Sequence, residues 1–420
     1  MKIFYQKKTF ILLILHLFTS VGLAQNNVSE FKFKSNPNEE FWWLQHNNFG
    51  QEKSTLLLNY TGQIQKEKIE LYLNAFVGNS KNVIYIPSTY LKYVHSDKFF
   101  LKFGRYYRDF STYLNDDLSS GSMLVSNNAQ ALKKIGFFYK NKLKKRNYIS
   151  YFGGLSHGVF DKNNFYSIPP YQHEKFIYLE IDLQNSLFGA GFVHEAIWSG
   201  TTTQGFAAGK QPGTIKDFFK VFISADGPLL EGEPHPNALG NHLGIWDFYY
   251  IKKFNNNSFK AYYQHFFEDT SSFRFKNKTD GLWGFEFKNE ISKNIILIEF
   301  LNTTNCCYDP PYQSDNYYWN YQYLPGWRYN GKTIGNAFVN PKNTTIAEMI
   351  KLVHLGIKGN YNNINYKILS SRKIHINDDL KYKIELNRAI SNSLTFGTTL
   401  YGEKKRTGMS FFVLYNINQK

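Results

Sequence analysis

The chain alternates apolar and polar residues with a period of two in segment after segment. This is the pattern of a β-strand whose two faces meet different surroundings. In segment 69–76, every second side chain is aliphatic, and the side chains between them are Glu, Tyr, Asn and Phe. Segments 175–182, 217–225 and 381–387 repeat the alternation. The pattern therefore predicts an all-β protein with strands along most of its length.

One apolar and one polar face on every strand fits a barrel with lipid outside and a polar lumen inside. A tandem β-sandwich also alternates, but roughly 400 residues of sandwich need internal repeats or linkers, and the sequence shows neither. A strand with its connection averages roughly 22 residues, which gives about 16–18 membrane-spanning strands. We predict one transmembrane antiparallel β-barrel domain over residues 25–420, of about 18 strands with long extracellular loops.

The connections between predicted strands fall into short turns and long loops. Asn255, Asn256 and Asn257 form a short turn of the kind that faces the periplasm in outer-membrane barrels. The long loops, predicted to be extracellular, cover 107–130, 158–174, 196–216, 226–243 and 303–348. The last is longer than a structureless connector should be, so we expect it to be functional or packed into the lumen.

The N-terminus has the three zones of a secretory signal peptide. Lys2, Lys7 and Lys8 supply positive charge, residues 10–18 are apolar, and Ala24 ends a small-residue site. We therefore predict a signal peptide over residues 1–24, export, and location in a Gram-negative outer membrane. The alternative, a buried N-terminal helix, does not explain the order of the zones.

Composition supports the barrel and limits its partners. The chain holds 31 Tyr, 38 Phe and 7 Trp, and aromatic girdles at both membrane interfaces account for so many rings. Its formal net charge is +16, which favours anionic partners such as lipopolysaccharide phosphates or an acidic polysaccharide. Nucleic acid, which is also anionic, is excluded as a partner by the predicted export. We expect a monomer without a cofactor.

The loop at 303–348 is dense in aromatic rings. A ring face stacks on the C–H face of a sugar, while hydroxyl and amide groups hydrogen-bond its edge. The same rings would equally suit a membrane girdle or a folded plug. The sequence-based candidates for carbohydrate contact are Tyr317, Tyr318, Trp319, Trp327 and Tyr329.

The segment 105–117 interleaves basic and acidic residues. Paired carboxylates can hydrolyse glycosides or hold calcium, but Arg–Asp pairs also pin long barrel loops. We favour the pinning network, and expect 118–122 (Leu-Ser-Ser-Gly-Ser) to turn the loop inward. The members of the predicted network are Arg105, Arg108, Asp109, Asp116 and Asp117.

Enzymatic and metal motifs are formal matches only. Residues 154–158 fit G-x-S-x-G, but a nucleophile elbow needs a strand–turn–helix that this β-segment does not offer. His194, His235 and His242 lack the spacing of a metal site, and the adjacent Cys306 and Cys307 do not form a disulfide framework. We predict no catalytic residue and no bound metal.

Five blocks of sequence resemble the Wzi-type capsule-assembly family of barrels, in the form found in Bacteroidetes-like bacteria. They occur in the family's order, and block 104–130 is the most specific. The fifth departs slightly, because Ala337 stands where the family more often has Pro. The resemblance implies an 18-stranded outer-membrane barrel that attaches capsular or exopolysaccharide at the cell surface. The blocks are 41–50, 104–130, 234–248, 273–287 and 326–339.

Three functions follow as hypotheses. The leading one is a non-enzymatic barrel that binds capsular polysaccharide, the second is a porin-like or polysaccharide-export channel, and the third is an outer-membrane hydrolase. Conductance would distinguish the second hypothesis. Loss of activity in Ser156→Ala, or in Asp116→Asn with Asp117→Asn, would distinguish the third.

Overall fold

The computed structural model describes residues 24–34, 46–51, 55–79, 84–144, 146–229, 236–268, 270–305, 317–339, 349–376 and 378–416. Within them, eighteen strands form one antiparallel sheet, in which each strand pairs with the next along the chain. The last strand also pairs with the first, from Asn416 opposite Val28 to Ser410 opposite Lys34. The sheet is a closed barrel, so the predicted fold class is confirmed. Cys306, Cys307 and residues 1–23 of the signal peptide predicted over 1–24 lie outside the described residues, and Ala24 is the first residue of the first strand.

The barrel strands are numbered here in chain order. The first nine are β1 Ala24–Lys34, β2 Leu56–Lys66, β3 Ile69–Gly78, β4 Ile84–Val94, β5 Phe99–Arg105, β6 Lys133–Leu143, β7 Arg146–Val159, β8 Tyr171–Leu183 and β9 Ser186–Trp198. The other nine are β10 Asn241–Phe254, β11 Asn257–Phe267, β12 Gly281–Asn289, β13 Ile295–Asn302, β14 Lys351–Tyr361, β15 Ile364–Lys373, β16 Lys381–Ala389, β17 Leu394–Glu403 and β18 Arg406–Asn416.

The alternation seen in the sequence separates a lipid-facing wall from a lumenal wall. In β8, Ile177 and Leu179 are 59% and 49% exposed, whereas the intervening Phe176 and Tyr178 are buried. Exposed aliphatic side chains suit the hydrocarbon of a membrane, and the buried alternate positions face the interior of the barrel. The predicted strands at 69–76, 175–182 and 381–387 lie within β3, β8 and β16.

Outward-facing rings mark both rims of this wall. Near one end of β10, Trp246 packs on Phe273 with ring centroids 5.3 Å apart. At the other end, the ring centroids of Phe254 and of Phe287 in β12 are 6.3 Å apart. Such rings belong at the two membrane interfaces, as the aromatic content predicted.

Most two-residue turns lie at one end of the barrel, and the longest connections lie at the other. Two-residue turns at 67–68, 184–185, 255–256 and 362–363 lie at one end. Connections 106–132, 199–240 and 303–350 lie at the other, which is therefore the extracellular end.

The predicted strand at 217–225 is wrong, because this segment contains a helix, α1 (Ile215–Phe222). The Thr214 side chain accepts a hydrogen bond from the Asp217 backbone N–H, and the Asp217 carboxylate accepts one from that of Thr214. This capping box starts the helix, and apolar residues at 215, 218, 219 and 222 fit a helical period. The two loops expected at 196–216 and 226–243 are therefore one connection.

Smaller elements complete the extracellular end. Tyr166–Ile168, Thr201–Thr202 and Gly209–Lys210 form a three-stranded sheet, and Arg328–Tyr329 pairs with Lys332–Thr333. A four-residue helix, α2, spans Thr270–Phe273. Neither helix in the described part of the chain has the length and apolar character needed to cross a bilayer.

Candidate functional site

Connection 106–132, here called the lumenal loop, lies inside the barrel. Its Ser111 hydroxyl donates to Asp247 of β10 at 2.6 Å, and its Tyr113 hydroxyl donates to the same carboxylate. Tyr178 of β8 donates a third hydrogen bond to Asp247 at 2.6 Å. All three donors meet at a side chain on the lumenal wall, so the loop crosses the interior to reach it.

The tip of the lumenal loop is held by β13 and β14, farther round the same wall. Glu299 of β13 accepts hydrogen bonds from the Ser119 hydroxyl and the Ser120 backbone N–H, both at 2.6 Å, and from Tyr262. One imidazole nitrogen of His354 lies 2.6 Å from the Leu118 carbonyl oxygen. Because these groups are buried, losing a partner would leave an unsatisfied polar group. The loop is therefore tied to the wall along its length.

Close approach of the loop to the wall also requires a small residue. A Cβ atom on Gly356 of β14 would lie 2.6 Å from the Leu118 carbonyl oxygen. The backbones meet there because glycine has no side chain.

The predicted Arg–Asp network contains one such pair within the segment. Arg108 Nη2 lies 2.5 Å from Asp116 Oδ1. Arg105 instead contacts Asp161 at 3.5 Å, and Lys102 contacts Asp109 at 2.6 Å. The sequence did not indicate these partners, which come from other elements.

Asp117 connects the lumenal loop to β14 and β15. Its carboxylate oxygens each lie 2.8 Å from an ammonium group, one of Lys358 and one of Lys367. Burial alone would raise the pKa of Asp117, but the charges and hydrogen bonds of these lysines lower it well below its usual value. Asp116 and Asp117 thus bind different cations and do not form a pair of free carboxylates.

Most of the sequence-predicted carbohydrate contacts lie in the interior. Tyr318 donates to the Met123 carbonyl oxygen, and the Trp327 indole N–H donates to that of Leu124 at 2.6 Å. Segment 317–339 thereby forms a roof over the lumenal loop. Because both rings are buried, they support this roof and offer no accessible face for a sugar.

Two further candidates are buried with their hydroxyl groups satisfied. Tyr329 donates to Asp161 and accepts from Arg105 at 3.0 Å. Tyr317 donates to Asp280 at 2.9 Å. Burial raises the pKa of Asp280 to about 6, although hydrogen bonds from Asn305 and Tyr317 oppose the rise.

Trp319 differs from the other four candidates because it is only half-buried. The ring centroids of Trp319 and Tyr321 are 6.5 Å apart. The Tyr321 centroid lies 5.9 Å from that of Phe206 in connection 199–240. Phe206 is 46% exposed, and the Asn237 amide donates to the Tyr321 hydroxyl at 3.3 Å. We call Phe206, Trp319 and Tyr321 the aromatic platform. The platform lies at the extracellular end, with Phe206 exposed and the other two rings partly exposed.

Phe206 joins the platform through a close backbone contact that the sequence does not reveal. The Phe206 N–H donates to the Tyr321 carbonyl oxygen at 3.0 Å. At the preceding Gly205, φ is +105° and a Cβ would lie 2.7 Å from that same oxygen. Glycine therefore permits the two connections to touch.

The family model described as "Capsule assembly protein Wzi" matches residues 35–351. The chain belongs to this family. Family membership agrees with the resemblance seen in the five sequence blocks, and it makes capsule assembly at the outer membrane the general role of the protein. A search among curated proteins gave no match.

Three solved structures similar to this Wzi-family chain share little sequence with it. Pseudomonas aeruginosa OccK5 (OpdH) has 8% identity and a TM-score of 0.45, over 94% of this chain and 96% of that one. A triple mutant of the Rhodopseudomonas blastica porin has 7% identity and a TM-score of 0.41, over 93% and 98%. A loop-deletion mutant of OmpT, an outer membrane protein of Vibrio cholerae, has 8% identity and a TM-score of 0.32, over 93% and 97%.

The G-x-S-x-G match in this Wzi-family barrel lies within β7. Ser156 faces the lumen, where the Tyr106 hydroxyl donates to it at 3.2 Å. His157 is the next residue along the strand and points outward from the barrel, so the two side chains point in opposite directions. They do not form a nucleophile–base pair.

His194 and His242, on the outer face of the barrel, contact each other and Ser224. His194 and His242 ring nitrogens lie 2.9 Å apart, and the Ser224 hydroxyl lies 3.1 Å from His194. Among the described residues, no group of three or more His, Cys, Asp or Glu side chains could hold a metal ion. His235 lies outside those residues.

Proposed function

We propose that this Wzi-family barrel attaches capsular or exopolysaccharide to the cell surface by non-covalent carbohydrate binding, without catalysis. The aromatic platform is the observation that carries the proposal. Phe206 is exposed and Trp319 and Tyr321 are partly exposed at the extracellular end, and aromatic ring faces stack on sugars. Among the five sequence-based candidates, the proposal retains Trp319.

The binding is multivalent. A single platform offers a few weak contacts, but a polymer presents the same sugar to many barrels, and a high local concentration turns weak contacts into retention. The formal charge of +16 includes Lys2, Lys7 and Lys8 of the proposed signal peptide, so the chain from residue 25 carries +13. This positive charge favours an acidic polymer.

The lumenal loop favours binding at the surface over the channel hypothesis. It contacts side chains on β8, β10 and β13 across the interior. A barrel in a planar bilayer is therefore expected to conduct far less than a variant that lacks residues 111–120. Equal conductance of the two would favour the channel.

The domain boundaries and the oligomeric state are also part of the proposal. We infer cleavage after Ala24 and a single barrel domain over residues 25–420 that acts as a monomer. Mass spectrometry of the mature N-terminus tests the cleavage site. Sedimentation in detergent tests the monomer.

Binding of purified polysaccharide tests the function itself. We expect the barrel to bind capsule from its own strain, and the variant Phe206→Ala/Trp319→Ala/Tyr321→Ala to bind about tenfold more weakly. Tyr361→Ala is the matched control, because Tyr361 is 72% exposed and lies at the periplasmic end. Retention of the heat-modifiable gel mobility of a folded barrel would exclude misfolding. Unchanged affinity in the triple variant would contradict the proposal.

A further inference from the structure

Helix α1 packs against the outer wall of the barrel near its extracellular rim. The Phe218 ring lies 5.5 Å from His173 of β8 and 5.7 Å from Trp198 of β9. His173 alternates along β8 with the lumenal Gln172 and Glu174, so it faces the membrane side. The helix therefore lies on the outer face of the wall, at the extracellular end of the barrel.

The side of α1 that faces away from the barrel is also apolar. Ile215, Phe219 and Ile223 are 80%, 62% and 71% exposed and follow one another at intervals of four residues. They form a ridge along the helix. An exposed apolar ridge on a membrane-facing helix matches hydrocarbon rather than water.

A groove runs beside α1 and opens onto the same surface. Its volume is about 550 Å³, within the range of roughly 300–1,000 Å³ seen for small-ligand sites. The wall contributes Ile135, Phe137, Leu155 and Trp198, and the helix contributes Ile215 and Phe218. The groove is continuous with the lipid-facing side of β6 and β7, where Ile135, Phe137 and Leu155 are exposed. Its lining suits an acyl chain.

Positive charge borders this apolar surface. Lys216 and Lys220 lie one helical turn apart, in the row next to the ridge. The Lys216 side chain is exposed, and the Lys220 ammonium donates to the Asp226 carbonyl oxygen at 3.0 Å. Lysines at the edge of a leaflet attract anionic lipid headgroups.

We propose that α1 and the groove bind one lipopolysaccharide molecule of the outer leaflet. One acyl chain occupies the groove, and the lipid A phosphates lie at Lys216 and Lys220. Lipid A fits both features, because it combines acyl chains with phosphates and occurs at the extracellular side where α1 lies. The inference depends on the barrel and its orientation, and is independent of polysaccharide binding.

Native mass spectrometry of the full detergent-solubilised barrel, titrated with bis-phosphorylated lipid A, tests this site. We expect one retained lipid A molecule, and half-saturation at about tenfold higher lipid concentration in Lys216→Ala/Lys220→Ala. Leu155→Trp, which fills the groove, should weaken binding as well. Lys404→Ala/Lys405→Ala is the matched control, because this exposed pair lies in the β17–β18 turn at the same end of the barrel.

Two further results decide the assignment. Zwitterionic phosphatidylethanolamine should bind more weakly than lipid A, because it carries no net negative charge. Equal binding of the two lipids would overturn phosphate recognition at the lysines. Undiminished lipid A binding in the double lysine variant or in Leu155→Trp, with folded-barrel mobility intact, would overturn the site.

Discussion

Connections 106–132 and 199–240 leave the same end of the barrel, but the first enters the lumen, whereas helix α1 of the second packs on the outer wall. The lumenal loop presents serine and backbone N–H groups to wall carboxylates such as Asp247 and Glu299. The outer connection presents Phe218 and Val221 to the wall and Phe219 to the membrane side. The lumenal loop also buries apolar side chains such as Phe110 and Leu118 in the core of the barrel. Its hydrogen bonds to wall carboxylates therefore distinguish it from α1, whose packing on the wall is mainly apolar.

The largest expected effect is on the attachment of the lumenal loop at Glu299. Glu299→Ala leaves the Ser119, Ser120 and Tyr262 donors without their acceptor, and should lower the free energy of unfolding by about 4 kcal/mol. Urea unfolding in lipid vesicles measures this. The control Glu290→Ala removes an exposed carboxylate paired with Lys288, and should leave the free energy of unfolding nearly unchanged. Equal losses in the two variants would mean that the lumenal loop is not held as described.

The second effect concerns pH and the roof over the lumenal loop. Burial raises the pKa of Asp280 from 3.8 to about 6, so ionisation of this carboxyl opposes folding. Below pH 3.8 the carboxyl is protonated in both the folded and the unfolded protein. The free energy of unfolding should fall by about 3 kcal/mol as the pH rises from about 4 to 6, and then level off.

Asp280→Asn isolates this effect, because an asparagine side chain does not titrate. The difference in unfolding free energy between the wild type and the variant should therefore change across that pH window. A constant difference between pH 4 and pH 7 would show that Asp280 has no raised pKa.

A smaller effect is expected where the loop and the wall approach each other most closely. Gly356→Ala places a Cβ atom 2.6 Å from the Leu118 carbonyl oxygen and should cost about 2 kcal/mol. It should also loosen the loop tip, which increased hydrogen exchange at the Ser119 and Ser120 amides would report. Unaltered stability and exchange would indicate that the loop stands farther from β14.

The smallest effect on the free energy of unfolding is expected for helix α1 in connection 199–240. Phe219→Ala removes an exposed ring that faces away from the wall, so unfolding in detergent should change by less than about 0.5 kcal/mol. A loss as large as that of Gly356→Ala would abolish the contrast between the two connections.

The alternation of side chains was sufficient to predict the barrel, because each strand keeps one face toward lipid and one toward the lumen. It failed at 217–225, where apolar residues fit a helical period equally well. The capping box formed by Thr214 and Asp217 was the signal that could have decided the case.

The site was harder to predict for two physical reasons. Tyr and Trp carry both an apolar ring and a polar group, so Tyr318 and Trp327 served the interior as well as they would have served a sugar. Partners such as Asp117 with Lys367, or Phe206 with Tyr321, are far apart in sequence and meet only when the barrel closes. The inward turn expected at 118–122 is present, because Ser119 and Ser120 reach Glu299 on the lumenal wall.

The most direct test of polysaccharide attachment is the amount of capsule on cells and in the medium of a deletion strain. We predict that the strain makes polymer but releases it, and that the wild-type gene restores retention. The variant Phe206→Ala/Trp319→Ala/Tyr321→Ala should reach the outer membrane at the normal level without restoring it. Normal amounts of cell-bound polymer in the deletion strain would contradict the account.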